Sequence, residues 1–312
     1  MPAAADRGGA GALLPAAAAA ATGVLVGAAT VATRSVVGQA GPISLALLRY
    51  TIGVCCLVPP VLLAARVRFA PRDLLPIGLL GIGQFGILVV LLNYALQTIP
   101  AARAALLFAT MPLLTLLLGA ALGLEALTWA KAMGVLLTVG AVGLAVGEKA
   151  LQPGGAQAWT GEAAALGSAL VGAGCSVLYR PYLRRYPTLQ VSAVAMLASV
   201  AFLGLAAALG EDVFATGLRL TATGWLAVAF IGASSGVGYY LWLWALGHTT
   251  PTRVTVFLAL SPVTAAGLGA LLLREQPSGP ALLGLVGVVL GLWLAHRPTP
   301  PDERRPLPSS DL

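Results

Sequence analysis

Charge is scarce in this chain. Lysine, arginine, aspartate and glutamate together make up 9% of its 312 residues, against about 25% in a water-soluble domain, while apolar residues make up 58%. That balance excludes a soluble globular fold. Histidine occurs twice, and neither it nor any Asp or Glu falls at the centre of an apolar stretch. A carboxylate relay of the kind proton-driven carriers place inside the membrane is therefore not expected. Cysteine occurs three times, as Cys55, Cys56 and Cys175, without the paired spacing of a metal or redox motif. Neither a metal site nor a cofactor is expected. A nucleic-acid motif is also missing, so the net charge of +7 needs another explanation.

What the chain has in abundance is long apolar runs. A window of about 17 to 23 residues can cross about 30 Å of hydrocarbon. Ten such windows are present, at 13–32, 43–65, 74–96, 101–123, 129–146, 163–179, 191–209, 225–246, 254–273 and 278–295. Within lipid, only helices and closed barrels satisfy their own backbone hydrogen bonds, and these unbroken runs lack the alternation of barrel strands. The expectation is an all-α integral membrane protein with ten transmembrane helices. The Ala-rich run after Arg7 resembles a secretory signal, but about 20 apolar residues exceed the roughly 7 to 15 of a signal core. It is therefore kept as a span.

The basic residues explain the net charge. With the N-terminus placed in the cytoplasm, 12 of the 18 lysines and arginines fall on the inner face, 5 on the outer face, and Arg49 inside a span. Both termini are expected to be cytoplasmic and the bilayer to be a plasma membrane. The segment 297–312, with five prolines among charges, reads as a disordered cytoplasmic tail.

The chain also repeats itself. A gap-free shift of 150 residues sets Gly86 on Gly236, Ala95 and Leu96 on Ala245 and Leu246, Arg103 on Arg253, Pro112 on Pro262, Glu125 on Glu275 and Gly134 on Gly284. Each 57-residue window compared carries only three charges, so chance gives about 0.2 coincidences of charge where two occur. The organisation expected is a cytoplasmic segment 1–11, a first five-helix repeat 12–147, a loop 148–160, a second five-helix repeat 161–296, and the tail. Five is odd, so the second repeat runs upside down relative to the first. The basic loops agree, since Arg66, Arg68 and Arg72 follow the second span whereas Arg180, Arg184 and Arg185 follow the sixth. Inverted repeats provide two near-equivalent conformations, one open to each side.

Few residues inside the spans can carry chemistry. Pro112 and Pro262 each remove a backbone hydrogen bond near mid-span and free a carbonyl, at Phe108 and Leu258, which marks them as hinge candidates. Glu125 and Glu275 precede helices with Thr128 and Ser278 as caps, so a structural anchoring role is expected of them. Arg49 lies about 9 Å into the second span, and two readings stay open: an ion pair, or snorkelling to the interface. Candidates for a substrate cavity are Gln84, Asn93, Thr110, Ser168, Ser235, Tyr239, Trp242 and Ser261, with interhelical hydrogen bonding as the competing explanation. Ser235, Tyr239 and Trp242 share one helix face. Gln84 and Asn93, nine residues apart, fall on opposite faces of a regular helix, so only one is expected to point fully into a cavity.

An enzyme is not expected. Gly232-Ala233-Ser234-Ser235-Gly236 fits G-x-S-x-G, but a nucleophile elbow needs a strand-to-helix turn and this run lies within an apolar helix. His248 is about 21 Å further along, too far to act as a base, and small residues at close helix contacts explain the run better.

These residues resemble the drug/metabolite transporter superfamily, in its EamA-type branch of ten-helix carriers. The likeness rests on Pro42-x6-Arg49, on Tyr94-Ala95-Leu96 through Ala101, Ala104 and Pro112 to Glu125 and Gly134, and on Trp244-Ala245-Leu246 through Pro262 to Glu275 and Gly284. The resemblance implies two EamA repeats, a central cavity and transport of small organic solutes, often by export. The partners expected are a small-molecule substrate, the lipid bilayer and a second copy in a homodimer, with no nucleic acid. An importer or exchanger of a neutral or anionic metabolite, with Arg49 as charge partner, is the second reading. A receptor or structural membrane protein is the third.

Overall fold

The structure is a computed structural model that describes residues 7–64, 67–124, part of 128–144, 159–210, 220–276 and 279–295. Helices account for nearly all of them, and among the described residues there is no strand. The helices are α1 (Arg7–Val36), α2 (Pro42–Leu63), α3 (Pro71–Gly81), α4 (Leu88–Thr98), α5 (Ala101–Phe108), α6 (Met111–Ala121), α7 (Thr160–Arg185), α8 (Thr188–Gly210), α9 (Ala222–His248), α10 (Pro251–Thr255), α11 (Leu260–Leu272) and α12 (Gly279–Ala295). Their starts follow from sequence. Pro42 and Pro71 occupy first-turn positions, where a missing N–H breaks no helical hydrogen bond. Thr221 caps α9 by accepting from the Gly224 N–H.

Among the described residues, eight helical stretches are long and apolar enough to cross a membrane. Three of them join elements across a local irregularity. The third span, Pro71–Thr98, runs α3 into α4 through a π-helical turn at Ile82–Ile87. The fourth, Ala101–Ala121, breaks between α5 and α6 at Ala109 and Thr110. The eighth stretch, Arg253–Leu272, passes from α10 to α11 through a 3₁₀ turn at Val256–Ala259. Of the two remaining expected spans, the described residues between 129 and 144 are helical, and α12 has 17 residues. Glu125, Ser278 and the tail 297–312 lie outside the described residues.

The N-terminal helices pack mainly on the C-terminal ones. Helix α1 lies along α9 and α11, α2 against α9 and α8, α3 against α8, α4 and α6 against α7, and α5 against α11. Close approach depends on small residues. A Cβ on Gly232 would sit 2.5 Å from Ile52 Cβ, and one on Gly236 2.9 Å from the Gly53 oxygen. Gly27 similarly lets α1 rest on the Ser261 backbone of α11. The G-x-S-x-G run is thus the seam between α9 and α2, continuous α-helix as its sequence required. Leu62, Leu63, Leu209 and Leu271 project outward and exposed, as apolar side chains do where lipid replaces water.

Candidate functional site

Two adjoining cavities lie between the N-terminal and C-terminal helices. The larger has an empty volume of about 530 Å3 counted to its open mouth, and the smaller about 240 Å3. Thr22, Val26, Arg49 and Tyr239 line both. The larger one draws on α1, α2, the third span, α5, α6, α9 and the 3₁₀ turn. Three pairs of positions matched by the 150-residue shift line it: Val89 and Tyr239, Leu92 and Trp242, Phe108 and Leu258.

Arg49 sits in this wall, buried rather than snorkelling, and is paired with no acid among the described residues. Its side chain is buried, and its Nε donates to Ser235 Oγ at 2.5 Å. Ser235 in turn donates to the Ile231 carbonyl one helical turn earlier. The guanidinium carbon is 5.6 Å from the centre of the Tyr50 ring, in reach of a cation–π contact. Tyr50 Oη and Tyr239 Oη are hydrogen-bonded at 3.0 Å, and Phe85 packs on both rings, edge-on to Tyr239 at 4.3 Å between centroids. This aromatic group fills the space beside Arg49 where α2, the π turn and α9 meet.

Gln84 and Asn93 both line the larger cavity, contrary to the expectation of opposite faces. The π turn is the reason. Leu88 N–H bonds to the Gly83 carbonyl five residues back, so the turn holds about one residue more than an α turn. One extra residue corresponds to about 100° of rotation, which swings Gln84 towards the Asn93 side. Asn93 is tethered by donating from Nδ2 to the Pro42 carbonyl at 2.9 Å. Gln84 Oε1, by contrast, is buried without a partner among the described residues, as are Trp242 Nε1 and Thr33 Oγ1 in the same cavity.

The other candidates lie elsewhere. Thr110 Oγ1 donates to the Leu107 carbonyl and closes the break between α5 and α6. Ser168 donates to the Ala165 carbonyl within α7. Ser261 is buried at the contact of α11 with α1. Pro112 and Pro262 stand in the first turns of α6 and α11, immediately after the two irregular segments, and Phe108 and Leu258, four residues before each proline, line the cavity. The Glu275 carboxylate accepts from Ala101 N–H at 3.2 Å, at the start of α5, while the helix start at Ser278 lies outside the described residues.

Ion pairs mark both ends of the bundle. At one end Arg34 approaches Glu275 at 3.6 Å and donates to the Leu96 carbonyl at 2.5 Å, while Arg103 approaches Glu162 at 3.5 Å. At the other, Arg185 donates to Asp73 at 2.7 Å, and Tyr186 Oη donates to the same carboxylate at 2.6 Å. Asp73 and Leu96 belong to one span and lie about 35 Å apart along it. All three of these long-range pairs join an N-terminal helix to the C-terminal half of the chain. Spacing within a helix could not reveal them, nor Thr30, Thr33 and Tyr50, because such partners are distant in sequence.

A polytopic helical bundle whose buried, partly polar cavity lies between its two portions, with broken helices in the wall, has the architecture of a membrane carrier. The EamA-like transporter family matches twice, at residues 13–147 and 159–297, and the chain belongs to that family. It is a membrane transporter and not an enzyme. A protein of Streptantibioticus cattleyicolor named "Probable terminal-alkyne amino-acid exporter" is 31% identical over 232 residues, 73% of this chain and 75% of that protein. An "Uncharacterized transporter" of Archaeoglobus fulgidus is 25% identical over 258 residues, 82% of this chain and 89% of that protein. A solved crystal structure superposes with a TM-score of 0.68 at 25% identity, covering 92% of this chain and 98% of the other.

Proposed function

We propose that the protein exports a small organic metabolite across the plasma membrane by alternating access. In this reading ten spans form two inverted five-helix repeats, at 12–147 and 161–296, and both termini are cytoplasmic. The solute binds in the cavity between the repeats and is exposed to each side in turn as one repeat rocks against the other. The observation that carries the reading is the placement of the long-range ion pairs. They tie N-terminal helices to the C-terminal half of the chain at both ends of the bundle, with the cavity between. Opening either end requires breaking one set while the other holds, which gives two discrete states rather than a continuous pore.

The hinge in this scheme is the pair of irregular segments preceding Pro112 and Pro262. A donor missing at proline and a non-α turn lower the cost of bending, so motion concentrates there. The name of the Streptantibioticus cattleyicolor relative favours export and an amino-acid-like cargo. An importer or exchanger of a neutral or anionic metabolite uses the same site with opposite net flux.

The test is efflux from proteoliposomes preloaded with a metabolite extract, with the outside solution analysed by mass spectrometry against protein-free vesicles. Selective loss of one compound class is expected. No loss from folded protein under imposed ion gradients would overturn the carrier reading in favour of a receptor or structural role. A Pro112→Ala/Pro262→Ala double variant is expected to cut the efflux rate at least tenfold, and full retention of transport would remove the hinge assignment.

A further inference from the structure

We propose that the solute carries a compact anionic group, a carboxylate or its equivalent, and that Arg49 is the residue that selects it. This rests on the transport reading above and gives its cavity a chemical specificity. Arginine stays protonated in a protein, and a cation taken out of water without a counter-ion is costly. Arg49 lines both cavities, and no acidic residue lies within ion-pairing distance of it among the described residues. The three described carboxylates are engaged at the helix ends, Asp73 with Arg185, Glu162 with Arg103 and Glu275 with Arg34. One of the five guanidinium N–H groups is spent on Ser235, and the others have no protein acceptor among the described residues.

The rest of the wall fits a polar head with an apolar tail. Trp242 Nε1–H is a buried donor without a partner among the described residues, and a tryptophan N–H can only donate. An oxyanion set against Arg49 is therefore matched by a second donor in the same cavity. Gln84 Oε1 is a buried acceptor without a partner among the described residues, which calls for a donor on the solute, a hydroxyl or an ammonium. Leu88, Leu92, Met111 and Leu258 supply an apolar surface for the remainder. The arrangement favours organic anions and zwitterions and disfavours cations, which would face Arg49 at low dielectric. It is also one-sided: Val194 holds the place of Arg49 in the second half when Pro42 is set against Pro187, so a single anionic group is bound per cycle.

The experiment uses proteoliposomes of the full chain loaded with 4-methylpentanoate, L-leucine and 3-methylbutylamine, three solutes that share an isobutyl group, within a bacterial metabolite extract. The compounds that leave faster than from protein-free vesicles are expected to bear a carboxylate or another anionic group, while loss of 3-methylbutylamine does not exceed that control. Arg49→Gln is expected to lower their initial efflux at least tenfold, with part recovered in Arg49→Lys. Since Arg49→Gln also disturbs the bond to Ser235, Trp242→Phe serves as a second variant that keeps an aromatic wall; it is expected to raise KM several-fold with a smaller change in kcat. Monodisperse elution establishes that each variant is folded. Efflux confined to amines or uncharged compounds overturns the proposal while leaving transport intact. Undiminished anion efflux in the two folded variants, Arg49→Gln and Trp242→Phe, overturns it as well. Absence of any efflux from the wild-type protein overturns the carrier reading itself.

Discussion

Ser235 performs two tasks with one hydroxyl: it gives its proton to the Ile231 carbonyl and takes the Arg49 Nε–H on its lone pair. The side chain is buried in the wall of the smaller cavity, so only water on the cavity side can stand in for it. Ser235→Ala leaves a charged donor unpaired, and a loss of about 1 to 2 kcal/mol is expected. Thermal unfolding in detergent reads this as a lowered midpoint; an unchanged midpoint would show that Arg49 finds another acceptor. Ser235, Tyr239 and Trp242 were legible as one face of a helix, because positions four and seven apart repeat with the helical turn, and all three line the cavities. Thr33 and Tyr50 were not legible. A threonine in an apolar helix ordinarily bonds its own backbone, as Thr22 and Thr30 do here, and only the fold leaves Thr33 unpaired among the described residues, in a cavity.

Regular helical elements were legible because runs of apolar residues fix their existence, and prolines mark where they begin. Irregular elements divide into two kinds. The breaks before Pro112 and Pro262 carry a chemical signal, since proline cannot donate, and each falls within a few residues of its proline. The π turn at Ile82–Ile87 carries none: its sequence, Ile-Gly-Gln-Phe-Gly-Ile, is as compatible with an α turn, and its contacts in the fold are with α8 and α7, distant in sequence. Deleting Ile82 tests what the extra residue does. The turn is expected to close to α geometry and rotate Gln84 away from Asn93 by about 100°, with normal membrane insertion and efflux reduced at least tenfold. Retained efflux would mean that Gln84 is not needed in the cavity.

On the scale of the whole molecule, the sequence repeat foretold two related portions but not how closely they are interleaved, because the contacts that join them involve residues far apart in the chain. The ion pairs at the two ends turn that interleaving into a measurable balance. In a chain whose native cysteines are replaced, Thr30→Cys provides a reporter in the cavity. Glu275→Gln is expected to speed its labelling by an impermeant thiol reagent from the Arg34 side several-fold, by releasing Arg34 and Ala101 together. Asp73→Asn, which weakens the opposite end, is expected to slow it. Changes of the same sign in both variants would show that these pairs stabilise the fold without gating it.

The bond between Arg49 and Ser235 also has a history. Its partners are separated by 186 residues, so at about 5 to 20 residues per second the guanidinium waits roughly 10 to 40 seconds after synthesis before its acceptor is made. Throughout that interval the second helix carries a naked positive charge that the bilayer interior resists. Biogenesis of this carrier therefore includes a stage in which Arg49 must be sheltered, at the headgroup level or beside the insertion machinery, until the ninth helix arrives to receive it.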